Sequence, residues 1–251
     1  MRETVLKYCA WLVHFYTATG AVAGLVALDL IARADFPGAF AAMGLALFVD
    51  STDGPLARAL NVRGRIPLFD GGMLDNVVDY MTYVAVPALL MLRAGVVADN
   101  ASGLVVTSFV VLASAYGFCR RDAKTADHYF LGFPSYWNLV AFYLYCLRLP
   151  VLLNELVLGG LAVAVFLPIK FIYPNRTIPL RPLTLTYSVV WAIATAAMLP
   201  RVPSYNPILL YTSLSFIVYY FVMSFALYLH PSRIAARRAP LRAQLQDVPL
   251  K

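Results

Sequence analysis

The chain has 251 residues, of which 61% are hydrophobic and 13% are charged, whereas soluble domains carry about 25% charged residues. Its mean hydropathy is +0.72 and its formal net charge is +7. This composition excludes an ordinary soluble globular protein, and the distribution of the charge along the chain argues against nucleic-acid binding.

Eight apolar stretches follow one another, and each is long enough, or nearly so, to cross a hydrocarbon core, which takes about 20 helical residues. Because the bilayer offers no water to backbone groups, we expect helices. Alternation typical of barrel strands is not visible. The sequence therefore predicts an all-α integral membrane protein with one domain, residues 1–251. The predicted spans are Tyr8–Ile31, Phe36–Val49, Leu74–Leu92, Ser102–Phe118, Ser135–Leu149, Val151–Ile172, Leu183–Leu199 and Ile208–Leu229.

The basic residues predict how these spans are oriented. Cytoplasmic segments of membrane proteins are enriched in Lys and Arg. With both termini placed in the cytoplasm, the outside turns hold only Arg33, Arg93, Arg148 and Arg201. The C-terminal run from Arg233 to Arg242 is then a solvated tail near anionic headgroups. The inside segments hold all the others: Arg2, Lys7, Arg58, Arg63, Arg65, Arg120, Arg121, Lys124, Lys170, Arg176, Arg181, Arg233, Arg237, Arg238, Arg242 and Lys251.

Four carboxylates lie where the second span ends and the third begins. Asp50 and Asp53 are three residues apart, and Asp75 and Asp79 are four apart. On a helix, both spacings place the two members of a pair on the same face. The short connection makes the two helices neighbours, so all four carboxylates can converge near the cytoplasmic boundary.

Like charges at close range require a cation between them, and carboxylate ligands favour a hard divalent ion such as Mg²⁺ or Mn²⁺. The alternative is that the acids only mark helix ends and pair with nearby arginines. Gly54 and Gly71 permit a ligand to approach the backbone closely. The small side chain of Ala57 leaves room for a ligand on the same helix face. The Arg58 guanidinium matches the geometry of phosphate oxygens. The set predicts a site for a phosphate-bearing ligand held through metal ions.

The stretch from Asp50 to Asp79 reads D-x2-D-G-x2-A-R-x12-G-x3-D-x3-D. This pattern resembles the signature of the CDP-alcohol phosphotransferase family. The gap of twelve residues between Arg58 and Gly71 is longer than in most members and resembles bacterial phosphatidylcholine synthases. Val13-His14-Phe15 in the first span and the stretches Lys124–Asp127 and Gly132–Asn138 are similar to the same subfamily.

The resemblance implies an enzyme that transfers the phosphatidyl group of CDP-diacylglycerol to choline and releases CMP. It implies that Asp50, Asp53 and Asp75 bind two divalent ions, Mg²⁺ or Mn²⁺, and that Asp79 shares in ligation and acts as the general base. The nucleotide would be bound by Asp53, Gly54, Ala57, Arg58 and Gly71. The expected location is the bacterial inner membrane, with the active site facing the cytoplasm.

Three further groups are interpreted with an alternative beside each. Arg120, Arg121 and Lys124 either contact the lipid-side phosphate or only enforce orientation. His14 is interpreted as a hydrogen-bonding residue in helix packing rather than a ligand. Asp70 is interpreted as a solvated loop residue, the alternative being that it contacts a metal ion or the nucleotide.

Choline is a quaternary ammonium, which is recognised mainly by aromatic faces. The chain has 16 Tyr, 15 Phe and 3 Trp, and most of them belong to lipid-facing or interfacial positions. The candidates for the choline pocket, chosen by proximity to the motif, are Tyr80, Tyr83, Tyr136, Trp137 and Tyr187.

Whether the protein forms a homodimer is left open.

Two other functions are weighed against this one. The enzyme could use another alcohol, namely serine, inositol phosphate or glycerol phosphate, and the three basic residues after the fourth span keep that alternative open. A cation transporter is the second alternative, but transporters carry acids near the midplane and internal repeats, and none is visible. The segment from Asn61 to Pro67 is expected to bulge away from the site, leaving Arg63 and Arg65 outside it.

Overall fold

The computed structural model describes residues 2–125, 127–174, 177, 181–202, 204 and 206–229, and these are mostly helical. These residues form ten α-helices, a π-helical turn, a short 3-10 turn and a two-stranded sheet. The helices are α1 (Arg2–Ala32), α2 (Phe36–Ala59), α3 (Val62–Arg65), α4 (Gly71–Asp79), α5 (Val86–Arg93), α6 (Ala101–Cys119), α7 (Trp137–Leu147), α8 (Val151–Phe166), α9 (Arg181–Met198) and α10 (Pro207–Leu229).

Four helical segments in the described part of the chain are long and apolar enough to cross a membrane. Two more, α7 and α8, are apolar but shorter. The protein is therefore a helical membrane protein, while eight crossings and cytoplasmic termini stay predictions. The basic tail from Arg233 to Arg242 lies outside the described residues, as do Arg176 and Lys251. The four segments are Glu3–Ala32, Ala101–Cys119, Arg181–Arg201 and Pro207–Leu229.

The second predicted span is longer than expected, because α2 continues to Ala59 and carries the first half of the motif as regular helix. Asp35 caps its N-terminus by accepting a hydrogen bond from the Gly38 amide. Pro55 lies inside the helix, where proline removes one backbone hydrogen bond. Asp50 and Asp53 thus stand on the turns just before this interruption.

The third predicted span is one continuous helical segment, which is irregular in its middle. After α4, residues Tyr80–Ala85 form a π-helical turn, and α5 follows directly. Pro87 lies in the first turn of α5 and has no amide hydrogen to donate back to the preceding turn. Isolated π turns occur frequently at functional sites, and this one begins immediately after Asp79.

The all-α prediction is wrong in one place, where a small antiparallel sheet replaces helix. Strand β1 (Tyr129–Leu131) pairs with β2 (Lys170–Ile172), and Phe130 lies opposite Phe171. The sixth predicted span was expected to continue to Ile172, but α8 ends at Phe166. Pro168 explains the early end, because a residue before proline is restricted to extended conformations and Leu167 adopts one.

One hydrophobic cluster, with members from α1 to α10, forms the core. Helix α1 packs along α2 and also against α4. The approach of α1 to α4 is close: a Cβ on Gly20 would lie 2.7 Å from Cγ1 of Val78. Helix α1 thus packs against both helices that carry the motif, α2 and α4.

The connection between α2 and α4 does not bulge away as expected. It contains helix α3, whose buried Val62 packs with Ile66 against Ala10 and Val13 of α1. Both apolar side chains lose contact with water in this arrangement, which favours the packed conformation over a projecting loop.

Candidate active site

Three carboxylates converge where α2 meets α4. Asp50 comes from α2, and Asp75 and Asp79 come from successive turns of α4. One oxygen from each lies within 4.8 Å of the others, and all three side chains are half-buried. The Tyr83 hydroxyl donates a hydrogen bond of 2.7 Å to Oδ2 of Asp50. The π turn thus supplies a group that orients one member of this carboxylate cluster.

The spacing of the cluster fits a hard divalent cation. Mg²⁺ binds oxygens at about 2.1 Å in an octahedral shell, so neighbouring ligand oxygens lie about 3.0 Å apart and opposite ones about 4.2 Å apart. The three carboxylate oxygens already lie within 4.8 Å of one another, and binding of one ion would draw them closer together. The cluster could therefore hold a divalent cation through Asp50, Asp75 and Asp79.

Beside the cluster lies a cavity of about 520 Å³, here called the motif cavity. All five residues that the resemblance implies in nucleotide binding line it: Asp53, Gly54, Ala57, Arg58 and Gly71.

Asp53 is 5% exposed and does not belong to the three-carboxylate cluster. It shares a smaller cavity of about 360 Å³ with Asp50, Asp75, Arg58 and Lys124. Asp53 therefore stands between the motif cavity and the cluster.

Gly71 lines the motif cavity, and its lack of a side chain leaves room for a neighbouring residue. A Cβ on Gly71 would lie 2.5 Å from Cε1 of His14, so the imidazole occupies the space that a side chain would need. The His14 ring also packs against Phe69, with centroids 4.5 Å apart. Nε2 of His14 is buried without a hydrogen-bond partner among the described residues, so the predicted hydrogen bond in helix packing is not formed.

The two arginines of the connection, Arg63 and Arg65, lie in different places. The expectation that both lie outside the site is wrong for Arg63. Arg63 lines the motif cavity. Arg65 instead donates to the Leu60 carbonyl oxygen at 2.9 Å and contacts Glu3 at 3.4 Å. The packing of α3 on α1 brings the helix end carrying Arg63 back toward the site. Asp70 is exposed, as expected of a solvated residue, and it also caps α4 through the Met73 amide and lines the same cavity.

A larger cavity of about 830 Å³, here called the central cavity, contains the whole cluster. The predicted basic residues Arg120, Arg121 and Lys124 also line it. Arg120 also forms two hydrogen bonds to Asp122, of 2.9 and 2.8 Å. These bonds hold the pKa of the Asp122 carboxyl below its ordinary value. The central cavity is thus lined by both acidic and basic side chains.

A further cavity of about 550 Å³, here called the aromatic cavity, lies among α2, the π turn, the segment after β2 and helices α7 to α10. Asp50 and Tyr83 line both this cavity and the central one, as does Tyr136. Asp50 therefore stands at the junction of the two cavities, which places two of the five predicted choline candidates beside the carboxylate cluster.

The other three candidates point elsewhere. The Tyr80 hydroxyl donates to the Val111 carbonyl oxygen. Trp137 is fully buried and donates to Ser114. Tyr187 donates to Ser215. Each hydrogen bond ties the side chain to a neighbouring helix, and none of the three lines the cavities described here.

Several aromatic residues that line these cavities are not among the predicted candidates, and three of them matter for the site. Tyr220 of α10 lines the aromatic cavity, Phe130 of β1 lines the central cavity, and Tyr173 after β2 lines both. No local spacing connects them to the motif, since they reach it only through the sheet and the packing of α10. The antiparallel pairing of β1 and β2 is the feature that brings Phe130 and Tyr173 together, with ring centroids 4.5 Å apart.

No family model matches the chain. Curated relatives named phosphatidylcholine synthase do match it. The one from Legionella pneumophila is 35% identical over 226 residues, which covers 87% of this chain and 88% of the relative. The one from Pseudomonas aeruginosa is 36% identical over 204 residues, covering 81% and 85%. The one from Borreliella burgdorferi is 35% identical over 181 residues, covering 72% and 77%. The chain belongs to the phosphatidylcholine synthase family.

Proposed function

We propose that this protein is a phosphatidylcholine synthase that transfers the phosphatidyl group of CDP-diacylglycerol to choline and releases CMP. The observation that carries the proposal is the carboxylate cluster at the junction of three cavities. The motif cavity accounts for a nucleotide, the basic residues of the central cavity for lipid phosphate, and the aromatic cavity for a cation. The names of the relatives support the same reaction.

The residues suggest how the reaction proceeds. The choline hydroxyl oxygen forms a bond to the phosphorus that carries diacylglycerol, the bond from that phosphorus to the CMP oxygen breaks, and CMP leaves with the electron pair. Asp79 takes the hydroxyl proton, because a general base must stand within hydrogen-bond reach of the attacking group. A divalent cation, when bound, neutralises diphosphate charge and makes the phosphorus more electrophilic.

Binding is divided among the remaining residues of the motif. Asp50, Asp53 and Asp75 would hold Mg²⁺ or Mn²⁺, two ions in all, with Asp79 sharing in ligation. Gly54, Ala57, Arg58 and Gly71 would contact the cytidine nucleotide together with Asp53. Arg121 and Lys124 would contact the lipid-side phosphate, and Arg120 would join them despite its pairing with Asp122.

We assign the protein to the CDP-alcohol phosphotransferase family on the spacing of this motif. The basic residues support a position in the bacterial inner membrane with the site facing the cytoplasm. The continuous core from α1 to α10 supports a single domain over residues 1–251. Eight crossings and a homodimer stay predictions, which cysteine labelling from each side and cross-linking in membranes would test.

The decisive experiment is a product assay on the purified full-length protein with CDP-diacylglycerol and Mn²⁺. Choline, serine, inositol phosphate and glycerol phosphate are supplied one at a time. We expect CMP and phosphatidylcholine in equal amounts with choline, and no CMP in the presence of a chelator. CMP release with another alcohol but not with choline would replace the proposed acceptor, and the absence of CMP with all four would contradict the reaction class.

A further inference from the structure

The walls of the aromatic cavity carry an unusual combination of charge and chemistry. Among the described residues that line it, Asp50 is the only charged side chain, and no Lys, Arg or His is present. The basic residues near the cluster all face the central or motif cavities. An anionic alcohol would find no counter-charge here, whereas a cation would meet a carboxylate and several aromatic rings.

Tyr136 is the centre of these rings. Its ring centroid lies 5.9 Å from that of Tyr83, 6.1 Å from that of Phe130 and 6.2 Å from that of Tyr220. The planes of Tyr136 and Tyr83 are inclined at 44°, and those of Tyr136 and Tyr220 at 64°. Inclined rings present faces and edges to a common space, which is the arrangement of cages that bind methylated ammonium groups.

Tyr220 supplies a second, independent observation. It is 5% exposed, and its hydroxyl is buried without a hydrogen-bond partner among the described residues. A buried polar group without a partner calls for an explanation such as a ligand. The phenolic oxygen is electron-rich, so methyl groups that carry part of an ammonium charge are suitable neighbours.

We propose that Tyr83, Tyr136 and Tyr220 form a cage for the trimethylammonium group of choline, so that α10 completes the active site. This inference rests on the proposed function and specifies how its acceptor is selected. A cation in the cage would stand beside Asp50, and the attached hydroxyl would extend into the central cavity toward Asp79. Tyr80, Trp137 and Tyr187 take no part.

The test compares choline with its uncharged tert-butyl analogue as acceptors for the full-length protein with CDP-diacylglycerol and Mn²⁺. We expect Tyr136→Leu and Tyr220→Leu each to raise the KM for choline about tenfold, the size of a partly desolvated cation–π contact. The KM for CDP-diacylglycerol should stay near wild type, and the KM for the uncharged analogue should rise clearly less than that for choline, because the analogue loses only apolar contact. Tyr220→Phe, which keeps the ring, should retain the preference for choline.

Tyr211→Leu is the matched control, because Tyr211 is on α10 but 69% exposed, and it should behave like wild type. Equal losses with both alcohols in the Leu variants would indicate a packing defect and overturn the cage. An altered preference for acyl-chain length with an unchanged choline KM would assign the cavity to lipid and also overturn it. If the wild-type protein releases no CMP with choline, the proposed function fails, which is a different outcome from either.

Discussion

The two sides of the carboxylate cluster are built in different ways. The motif cavity is lined by α1, α2, α4 and the connection between α2 and α4, so its residues lie within the first part of the chain. The aromatic cavity draws on segments from α2 to α10, including the residues that follow the small sheet. The first is a local product of one sequence pattern, whereas the second exists only after distant segments have packed. Nucleotide binding and acceptor selection should therefore respond to different substitutions.

The largest expected effect is at the cluster that both sides share. Asp79→Asn removes the proposed base while an amide oxygen remains in place, so we expect kcat to fall at least about a hundredfold. The matched control is Asp70→Asn at the N-cap of the same helix, because asparagine also caps helices and the variant should keep most activity. Substantial phosphatidylcholine formation by Asp79→Asn, measured by product assay, would show that another group takes the proton.

The next effect tests the motif cavity by comparing the two arginines that line it with Arg65, which does not. Arg58→Ala should raise the KM for CDP-diacylglycerol most strongly, because a lost charged hydrogen bond costs about 1.5–3 kcal/mol. Arg63→Ala should have an intermediate effect, since Arg63 lines the same cavity. Arg65→Ala should have the least, because Arg65 is turned to Leu60 and Glu3. An effect of Arg65→Ala as large as that of Arg58→Ala would contradict this arrangement of α3.

A smaller effect concerns Gly71, whose lack of a side chain has two explanations. A Cβ would meet either a bound nucleotide or His14, which lies 2.5 Å from its position. Overpacking costs about 1–3 kcal/mol. Gly71→Ala should therefore lower the free energy of unfolding by that amount, or lower activity if the nucleotide is the obstacle. If His14 is the obstacle, adding His14→Ala should restore most of the loss, as measured by thermal unfolding and product assay. No restoration would point to the ligand instead.

The smallest effect separates the ring of Tyr83 from its hydroxyl. Tyr83→Phe keeps an aromatic face in the cage but removes the hydrogen bond to Asp50. We expect kcat to fall about tenfold, as for the loss of one hydrogen bond to a charged group, with little change in the KM for choline. A large rise in that KM with an unchanged kcat would reverse the roles assigned to the ring and the hydroxyl.

The motif side could be predicted from sequence because helical spacing and a short connection are enough to bring Asp50, Asp75 and Asp79 together. The apolar stretches likewise predicted the helical membrane fold. The path of the connection could not be predicted, because it depends on Val62 burying itself against α1. Pro168 indicates the end of α8, but the long apolar run around it favours a longer helix.

The aromatic side was only half predictable. Tyr83 and Tyr136 were chosen because they lie near the motif or on its predicted side, but so were Tyr80, Trp137 and Tyr187, which pack elsewhere. Their directions depend on the π turn and on hydrogen bonds to neighbouring helices. Tyr220 is far from the motif in the chain and reaches the cavity only because α10 packs against β2.

The most direct test of the division between the two sides is a set of initial-rate measurements in which both substrates are varied. It compares the wild type, Arg58→Ala, Tyr220→Leu and the double variant. Arg58→Ala should raise the KM for CDP-diacylglycerol alone, and Tyr220→Leu should raise the KM for choline alone. Because the two residues share no cavity, their effects should add in free energy to within about 0.5 kcal/mol. A variant that raises both KM values, or strong non-additivity in the double variant, would contradict two separate binding sides around one carboxylate cluster.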